Sequence, residues 1–230
     1  MFMITKHIPN TITSLNLFSG SVGVVMAFHA NYQAALACML LAAVFDFCDG
    51  LAARALHAYS PIGKELDSLA DVVSFGFLPA TMVYQLLTGA LDNAYLPFAA
   101  YILTVFSALR LAKFNVDERQ TSSFIGLATP ANAIFWAGLA ASYHQYAEAY
   151  PYALLVLVLL MSLLLVAEVP FFSLKFKNLK WKDNGIRFIF LIVSVVLLLV
   201  LQLDAFMWII LVYILMALAA WGVAALQKKS

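Results

Sequence analysis

The stretch that decides the fold runs from Phe45 to Ala80: FDFCDGLAARALHAYSPIGKELDSLADVVSFGFLPA. Apolar sequence surrounds it, yet it holds four aspartates, Asp46, Asp49, Asp67 and Asp71, with Arg54 and Lys64 between them. Asp46 and Asp49 are three residues apart and Asp67 and Asp71 four apart, so each pair shares one face of a helix. Tyr59-Ser60-Pro61-Ile62-Gly63 separates the pairs and reads as a turn from its Ser-Pro step and its glycine. Two helices joined by so short a turn run antiparallel, which lets the carboxylate pairs face each other.

Outside this stretch the chain is oily. Of its 230 residues, 64% are hydrophobic and 11% charged, against about 25% charged in a soluble domain. Long apolar runs without strict alternation predict a polytopic helical membrane protein and exclude a β-barrel. The expected fold is an all-α membrane bundle of about eight transmembrane helices, near 12–30, 33–58, 63–88, 94–115, 128–147, 151–173, 186–203 and 206–226, as one domain without repeats or linkers. An even number of crossings puts both termini on one side. On that side fall Lys6, Arg54, Lys64, Arg110, Lys113, Arg119, Lys175, Lys177, Lys180, Lys182, Arg187, Lys228 and Lys229, which is every lysine and arginine of the chain. The positive-inside rule then makes both termini, and the aspartates, cytosolic. Tyr32, Tyr95, Tyr143, Tyr146, Tyr150 and Tyr152 form an aromatic belt at the opposite boundary. The opening lacks a basic segment followed by an A-x-A site, so no cleaved leader is expected.

Ionised groups at membrane depth are costly and mark functional sites. Four facing carboxylates repel unless something positive lies between them. An all-oxygen set suits a hard cation, Mg²⁺ or Mn²⁺. Two such ions about 3.5–4 Å apart serve phosphoryl chemistry by clamping the attacking and leaving oxygens. Gly50 and Ala53 leave a smooth patch beside Asp49, and the Arg54 guanidinium closes it with a fork suited to phosphate. Cys48, between two aspartates, reads as a small packing residue.

Asp46-x2-Asp49-Gly50-x2-Ala53-Arg54-x8-Gly63-x3-Asp67-x3-Asp71 resembles the signature of the CDP-alcohol phosphotransferases in all its fixed positions. The likeness extends over about residues 8–170. It is strongest to the bacterial phosphatidylserine synthases, at Ile8–Asn16, Glu65–Gly76, Leu109–Asn115 and Phe124–Pro130. Related enzymes that use glycerol phosphate carry a lysine after the last motif aspartate, where this chain has Val72; Ala128 replaces a proline common in the serine enzymes. The resemblance implies an integral enzyme of the bacterial cytoplasmic membrane that passes a phosphatidyl group from CDP-diacylglycerol to L-serine and releases CMP. It implies a two-metal site of Mg²⁺ or Mn²⁺ on Asp46, Asp49, Asp67 and Asp71, with Asp71 also the general base. The donor would be held by Thr13, Asn16, Asp49, Gly50, Ala53, Arg54 and Gly63. The acceptor carboxylate would fall to Arg110, with Asn115. A six-helix catalytic core over 8–170, two added helices over 186–226 and a homodimer are implied as well.

Other residues keep two readings. Asn10 or Thr11 caps the first helix or faces the site. Arg110 snorkels to lipid headgroups or binds an anion. Lys175–Lys182, KFKNLKWK, reads as a loop drawn to anionic lipid rather than to nucleic acid. Glycerol 3-phosphate, inositol and choline are the other candidate acceptors. A divalent-cation transporter is the reading from a different class, opposed by the clustering of the acids at one face.

Overall fold

A computed structural model describes residues 7–117, 124–174, 176, 178 and 180–227. Lys6, Arg119, Lys175, Lys177, Lys228 and Lys229 lie outside the described residues. The helices are α1 (His7–Phe28), α2 (Tyr32–Ala55), α3 (Pro61–Asp71), α4 (Leu78–Ala90), α5 (Ile102–Val116), α6 (Thr129–Ala149), α7 (Pro151–Val166), α8 (Trp181–Leu201) and α9 (Ala205–Gln227). A π-helical turn, Val72–Phe77, joins α3 to α4 as one rod, and a 3₁₀ turn, Leu96–Tyr101, leads into α5. Two short strands, β1 (Phe124–Ile125) and β2 (Pro170–Phe171), pair antiparallel.

Among the described residues, five helical stretches are long and apolar enough to cross a membrane: His7–Phe28, Tyr32–Ala55, Pro61–Ala90, Leu96–Val116 and Trp181–Gln227. The last holds both α8 and α9, broken at Gln202–Asp204 where Gln202 takes φ 51°. α7 is apolar but shorter. The chain is thus an all-α integral membrane protein.

Side-chain ties show which helix ends meet. The Lys64 ammonium donates to the Asn115 carbonyl at 3.1 Å, Lys113 pairs with Glu168, and Arg187 Nε donates to the Ser173 carbonyl at 2.6 Å. The start of α3, the ends of α5 and α7 and the start of α8 therefore share one end of the bundle. At the other end, Gln85 donates to the Phe28 carbonyl, Tyr32 packs on His144 and Trp208 Nε1 donates to the Tyr143 hydroxyl. Tyr32 is buried there, which removes it from the expected belt, whereas Tyr95, Tyr146, Tyr150 and Tyr152 are exposed.

Several boundaries differ from the sequence expectation, each for a local reason. α1 is already helical at His7, because proline is tolerated in a first turn. Asn10 and Thr11 consequently lie inside the helix and cap nothing. α7 stops at Val166, seven residues early: Pro170 has no N–H and pushes Val169 out of helical space, and β2 follows. α8 begins at Trp181, five residues early, because Asn184 Nδ2 bonds back to the Lys180 and Asn178 carbonyls and holds a first turn together. α6 starts at Thr129, after Gly126 turns the chain at φ 78°; a Cβ there would meet the Leu165 carbonyl oxygen at 2.3 Å.

α3 opens at Pro61, inside the stretch expected to be turn, because Pro61 suits a first helical turn and the Ser60 hydroxyl accepts from the Gly63 N–H at 3.0 Å. The π turn precedes Pro79, whose ring would clash with the carbonyl four residues back. Widening the helix by one residue relieves that clash. α1 crosses this rod at two glycines. Added Cβ atoms would lie 2.1 Å from Ser74 Oγ at Gly20 and 2.7 Å from Leu78 at Gly23.

Candidate active site

Helix periodicity and the tight Ser60–Pro61 turn bring the acids together. Carboxylate oxygens from Asp46 and Asp49 on α2 and Asp67 on α3 all lie within 4.8 Å of one another. Asp71 stands a turn further along α3, outside that grouping, and is buried like Asp49. Among the described residues, no lysine or arginine pairs with any of the four.

α1 supplies the neutral partners. The Thr13 hydroxyl donates to Asp49 Oδ2 at 2.5 Å, and Asn16 Nδ2 donates to Asp71 Oδ1 at 3.2 Å. Asn16 is held in turn by Ser74, whose hydroxyl donates to the Asn16 carbonyl at 3.1 Å. Thr13 and Asn16 share a face of α1, and the glycine crossing above them sets their depth. Two fully buried oxygens of this group, Asp67 Oδ1 and Asn16 Oδ1, have no hydrogen-bond partner among the described residues. A close all-oxygen cluster, unpaired by cations and with a free buried acceptor, fits a hard divalent ion.

A cavity of about 210 Å³ opens beside the cluster. Thr13, Asp49, Gly50, Ala53, Gly63 and Asp67 line it. Arg54 folds over Gly50, its guanidinium nitrogens 3.7 and 3.9 Å from where a Cβ would sit. Asn16 lies deeper and does not line this cavity. Pro9, Tyr59, Ser60 and Lys64 line it without having been singled out for it, and so does Asn10, which read either as a cap or as facing the site. The Asn10 Oδ1 lies 2.8 Å from the place a Cβ on Gly63 would take, so Gly63 is what lets α1 and α3 close.

Arg110 is buried rather than snorkelled, with 6% exposure. Its guanidinium carbon lies 5.0 Å from the Phe114 ring centre and 5.8 Å from that of Phe124, and Nε has no partner among the described residues. A buried guanidinium with an unpartnered Nε has the chemistry to receive an anion. Asn115 behaves differently: its Nδ2 donates to Ser68 at 2.8 Å, clamping α5 to α3.

The family model described as CDP-alcohol phosphatidyltransferase matches residues 6–176. The chain is 30% identical over 213 residues to the CDP-diacylglycerol–serine O-phosphatidyltransferase of Helicobacter pylori, covering 89% of this chain and 88% of the relative. It is 36% identical over 129 residues to the enzyme of that name from Bacillus subtilis, covering 54% and 70%. It is 35% identical over 133 residues to the archaetidylserine synthase of Methanothermobacter thermautotrophicus, covering 55% and 54%. The chain belongs to the CDP-alcohol phosphatidyltransferase family and is an enzyme of that class. Family membership decides against the transporter.

Proposed function

We propose that this enzyme transfers the phosphatidyl group of CDP-diacylglycerol to the hydroxyl of L-serine, giving phosphatidylserine and CMP. The observation that carries the reading is the three-carboxylate cluster beside a cavity lined by Gly50, Ala53 and Gly63, with the Arg54 guanidinium over Gly50 and a buried arginine, Arg110, in reserve for a carboxylate. The names of the relatives support serine as the acceptor.

In this reading Asp46, Asp49, Asp67 and Asp71 hold one or two Mg²⁺ or Mn²⁺ ions. Bound there, divalent cations supply charge neutralisation for a diphosphate and its leaving group. The remaining steps belong to the chain. Gly50, Ala53 and Gly63 let the nucleotide approach the backbone, and Arg54 offers its fork to a phosphate. Thr13 orients Asp49, and Asn16 orients Asp71. Arg110 receives the serine carboxylate, while Asn115 holds the adjoining ends of α3 and α5 in register. Asp71 takes the proton from the serine hydroxyl, whose pKa is otherwise too high for attack at neutral pH. The serine oxygen bonds to the phosphorus that carries diacylglycerol, the bond from that phosphorus to the CMP oxygen breaks, and CMP leaves. The displacement is direct.

The same reading makes the helix count eight, with both termini and the acids at the cytosolic face of a bacterial inner membrane. Every lysine and arginine falls on that side under this count. Residues 8–170 then form the catalytic core, 186–226 are an addition to it, and the working unit is a homodimer.

The test is CMP release by purified protein with CDP-diacylglycerol and Mg²⁺ or Mn²⁺, offered serine, glycerol 3-phosphate, inositol or choline. Release with serine alone, lost in Asp71→Asn, is expected. Release with a different alcohol alone would overturn the acceptor and leave the family chemistry standing.

A further inference from the structure

Lys180, Trp181 and Lys182 stand where the chain enters its last apolar stretch, Trp181–Gln227, beyond the segment matched by the family model. We propose that this corner of α8 is a docking surface for an anionic phospholipid, and that a lipid held there positions Arg110 and tightens the binding of the acceptor. This rests on Arg110 receiving the acceptor, as read above.

An aromatic ladder forms the apolar part of the surface. The Trp181 indole stacks on the Phe188 ring, with centres 5.4 Å apart and planes at 11°, and Phe188 stacks on Phe176 at 5.5 Å and 30°. Trp181 is 61% exposed, and Phe176 also opens outward. Lys180 and Lys182 flank the indole in the chain, and both are exposed. Asp183 is the acid beside them, but its carboxylate accepts from Asn178 Nδ2 at 3.1 Å. Neither lysine has an ion pair among the described residues. The turn beneath them is fixed. Asn178 Oδ1 accepts from the Lys180 N–H at 2.9 Å, and the buried Asn184 donates Nδ2 to the Asn178 carbonyl at 2.7 Å. Two unpaired ammoniums are therefore presented on a rigid backbone beside exposed rings.

A membrane lipid is the occupant that suits both parts. A tryptophan at the first position of a crossing segment sits at headgroup level. A lysine at that level favours an anionic over a neutral surface about fivefold. A water-soluble anion would pair with the ammoniums and leave the ladder bare. A phospholipid sets its phosphate on the lysines and its glycerol and upper chains against the rings.

Direct contacts tie this corner to the acceptor site. Arg187 of α8 donates Nε to the Ser173 carbonyl at 2.6 Å, and a terminal nitrogen to Asn184 Oδ1 at 2.8 Å. The Tyr213 hydroxyl of α9 clamps the same segment, donating to the Phe172 carbonyl at 2.8 Å. The residues around β2 thus move with the C-terminal helices. Phe171 of β2 pairs with Phe124 of β1, and the Phe124 ring lies 5.8 Å from the Arg110 guanidinium carbon. Arg110 Nε has no partner that would hold it against such a shift. Bonds and packed rings of this kind carry energetic coupling between sites.

The test uses the full chain in lipid nanodiscs, made of phosphatidylcholine alone or of equal parts phosphatidylcholine and phosphatidylglycerol. Binding is read first, without turnover. Either lipid is brominated near its headgroup, and quenching of Trp181 is the wild-type signal less that of Trp181→Phe. Phosphatidylglycerol should quench more, and the excess should vanish in the double variant Lys180→Gln, Lys182→Gln. Equal quenching by the two lipids overturns the surface. Coupling is read next as the KM for serine at saturating metal. Serine carries no net charge at neutral pH, so surface potential alone does not concentrate it. The KM should fall about fivefold in the mixed bilayer, below the ceiling of about thirtyfold set by the lipid preference of two lysines. The double variant should show one KM in both bilayers. Arg187→Gln should keep the quenching excess and lose the KM response. A full response in either variant, or none in the wild type, refutes the coupling. If the wild type releases no CMP with serine, the reading of the acceptor fails, and quenching still decides the surface.

Discussion

Gly20→Ala probes whether the approach of α1 sets the geometry of the acids. The added Cβ would stand 2.1 Å from Ser74 Oγ and 2.8 Å from Ser74 Cα, where ordinary contact begins at 3.4 Å. The hydroxyl can rotate, but only by giving up its bond to the Asn16 carbonyl. The Cα cannot move alone, so α1 must retreat by about 0.6 Å, since close-packed interiors have no slack to absorb it. Asn16 and Thr13 lie four and seven residues earlier on the same face and retreat with it. The Asn16–Asp71 bond, already 3.2 Å, then lies beyond useful range. Overpacking costs about 1–3 kcal/mol and a lost hydrogen bond to a charged group about 1.5–3. Better helix propensity returns about 1. The variant should lose about 2–5 kcal/mol of stability. A shift near 1 Å costs about a hundredfold in rate, so about tenfold is expected here. CMP release and thermal inactivation in detergent read the two effects. Gly222→Ala, where nothing lies within 4 Å, is the control: it should keep wild-type activity and gain about 1 kcal/mol at most from helix propensity. If Gly20→Ala is as active and as stable as Gly222→Ala, the crossing does not position the site.

Thr13→Val removes the hydroxyl that donates to Asp49. The Mn²⁺ or Mg²⁺ concentration for half-maximal activity should rise about 10–100-fold, the usual cost of losing a partner behind a metal ligand; recovery of the rate at high metal supports that role, whereas a raised KM for the CDP lipid alone assigns Thr13 to the nucleotide. Chelation by EDTA should abolish CMP release, with activity restored by adding back either ion. Arg110→Ala should raise the KM for serine at least about tenfold, from the loss of a charged hydrogen bond, with the KM for the donor little changed; an unchanged serine KM removes Arg110 from the acceptor site. Tyr213→Phe leaves the Phe172 carbonyl without its donor and should cost about 1–3 kcal/mol in thermal stability, measured by tryptophan fluorescence; a melting curve identical to wild type refutes the clamp.

The acids were legible because charge in apolar sequence is conspicuous and because helical spacing is rigid. Asp46 and Asp49 meet Asp67 as three-residue spacing on α2 and an antiparallel α3 require, while Asp71, four residues beyond Asp67, falls outside the grouping; Ser60-Pro61 starts α3 through local chemistry alone. What was not legible depends on partners far away in the chain. Asn10 reads as a cap or as facing the site in its own neighbourhood, and the fit of Gly63 against it decides for the cavity wall. The π turn at Val72–Phe77 answers to Pro79 and to the crossing of α1, neither of which leaves a periodic trace. The strands at Phe124 and Pro170 are two residues long, too short for any alternation to register.

The C-terminal helices show the deeper limit. In a water-soluble helix, the apolar stripe names the buried face. α8 and α9 are apolar all round because lipid and protein are equally oily neighbours, so hydropathy cannot tell Ile210, which is buried, from Leu199, which faces outward. The only marks are small departures from that uniformity. Tyr213 is the one hydroxyl in α9 and proves to be its anchor to the Phe172 carbonyl. Arg187 is the one arginine of α8 and ties it to the Ser173 carbonyl. In a membrane helix, where hydrophobicity no longer selects a face, the isolated polar group does so, because leaving it unpaired in hydrocarbon costs more than any apolar contact can return. Such residues, rather than the apolar pattern, are where packing can be read from membrane sequence.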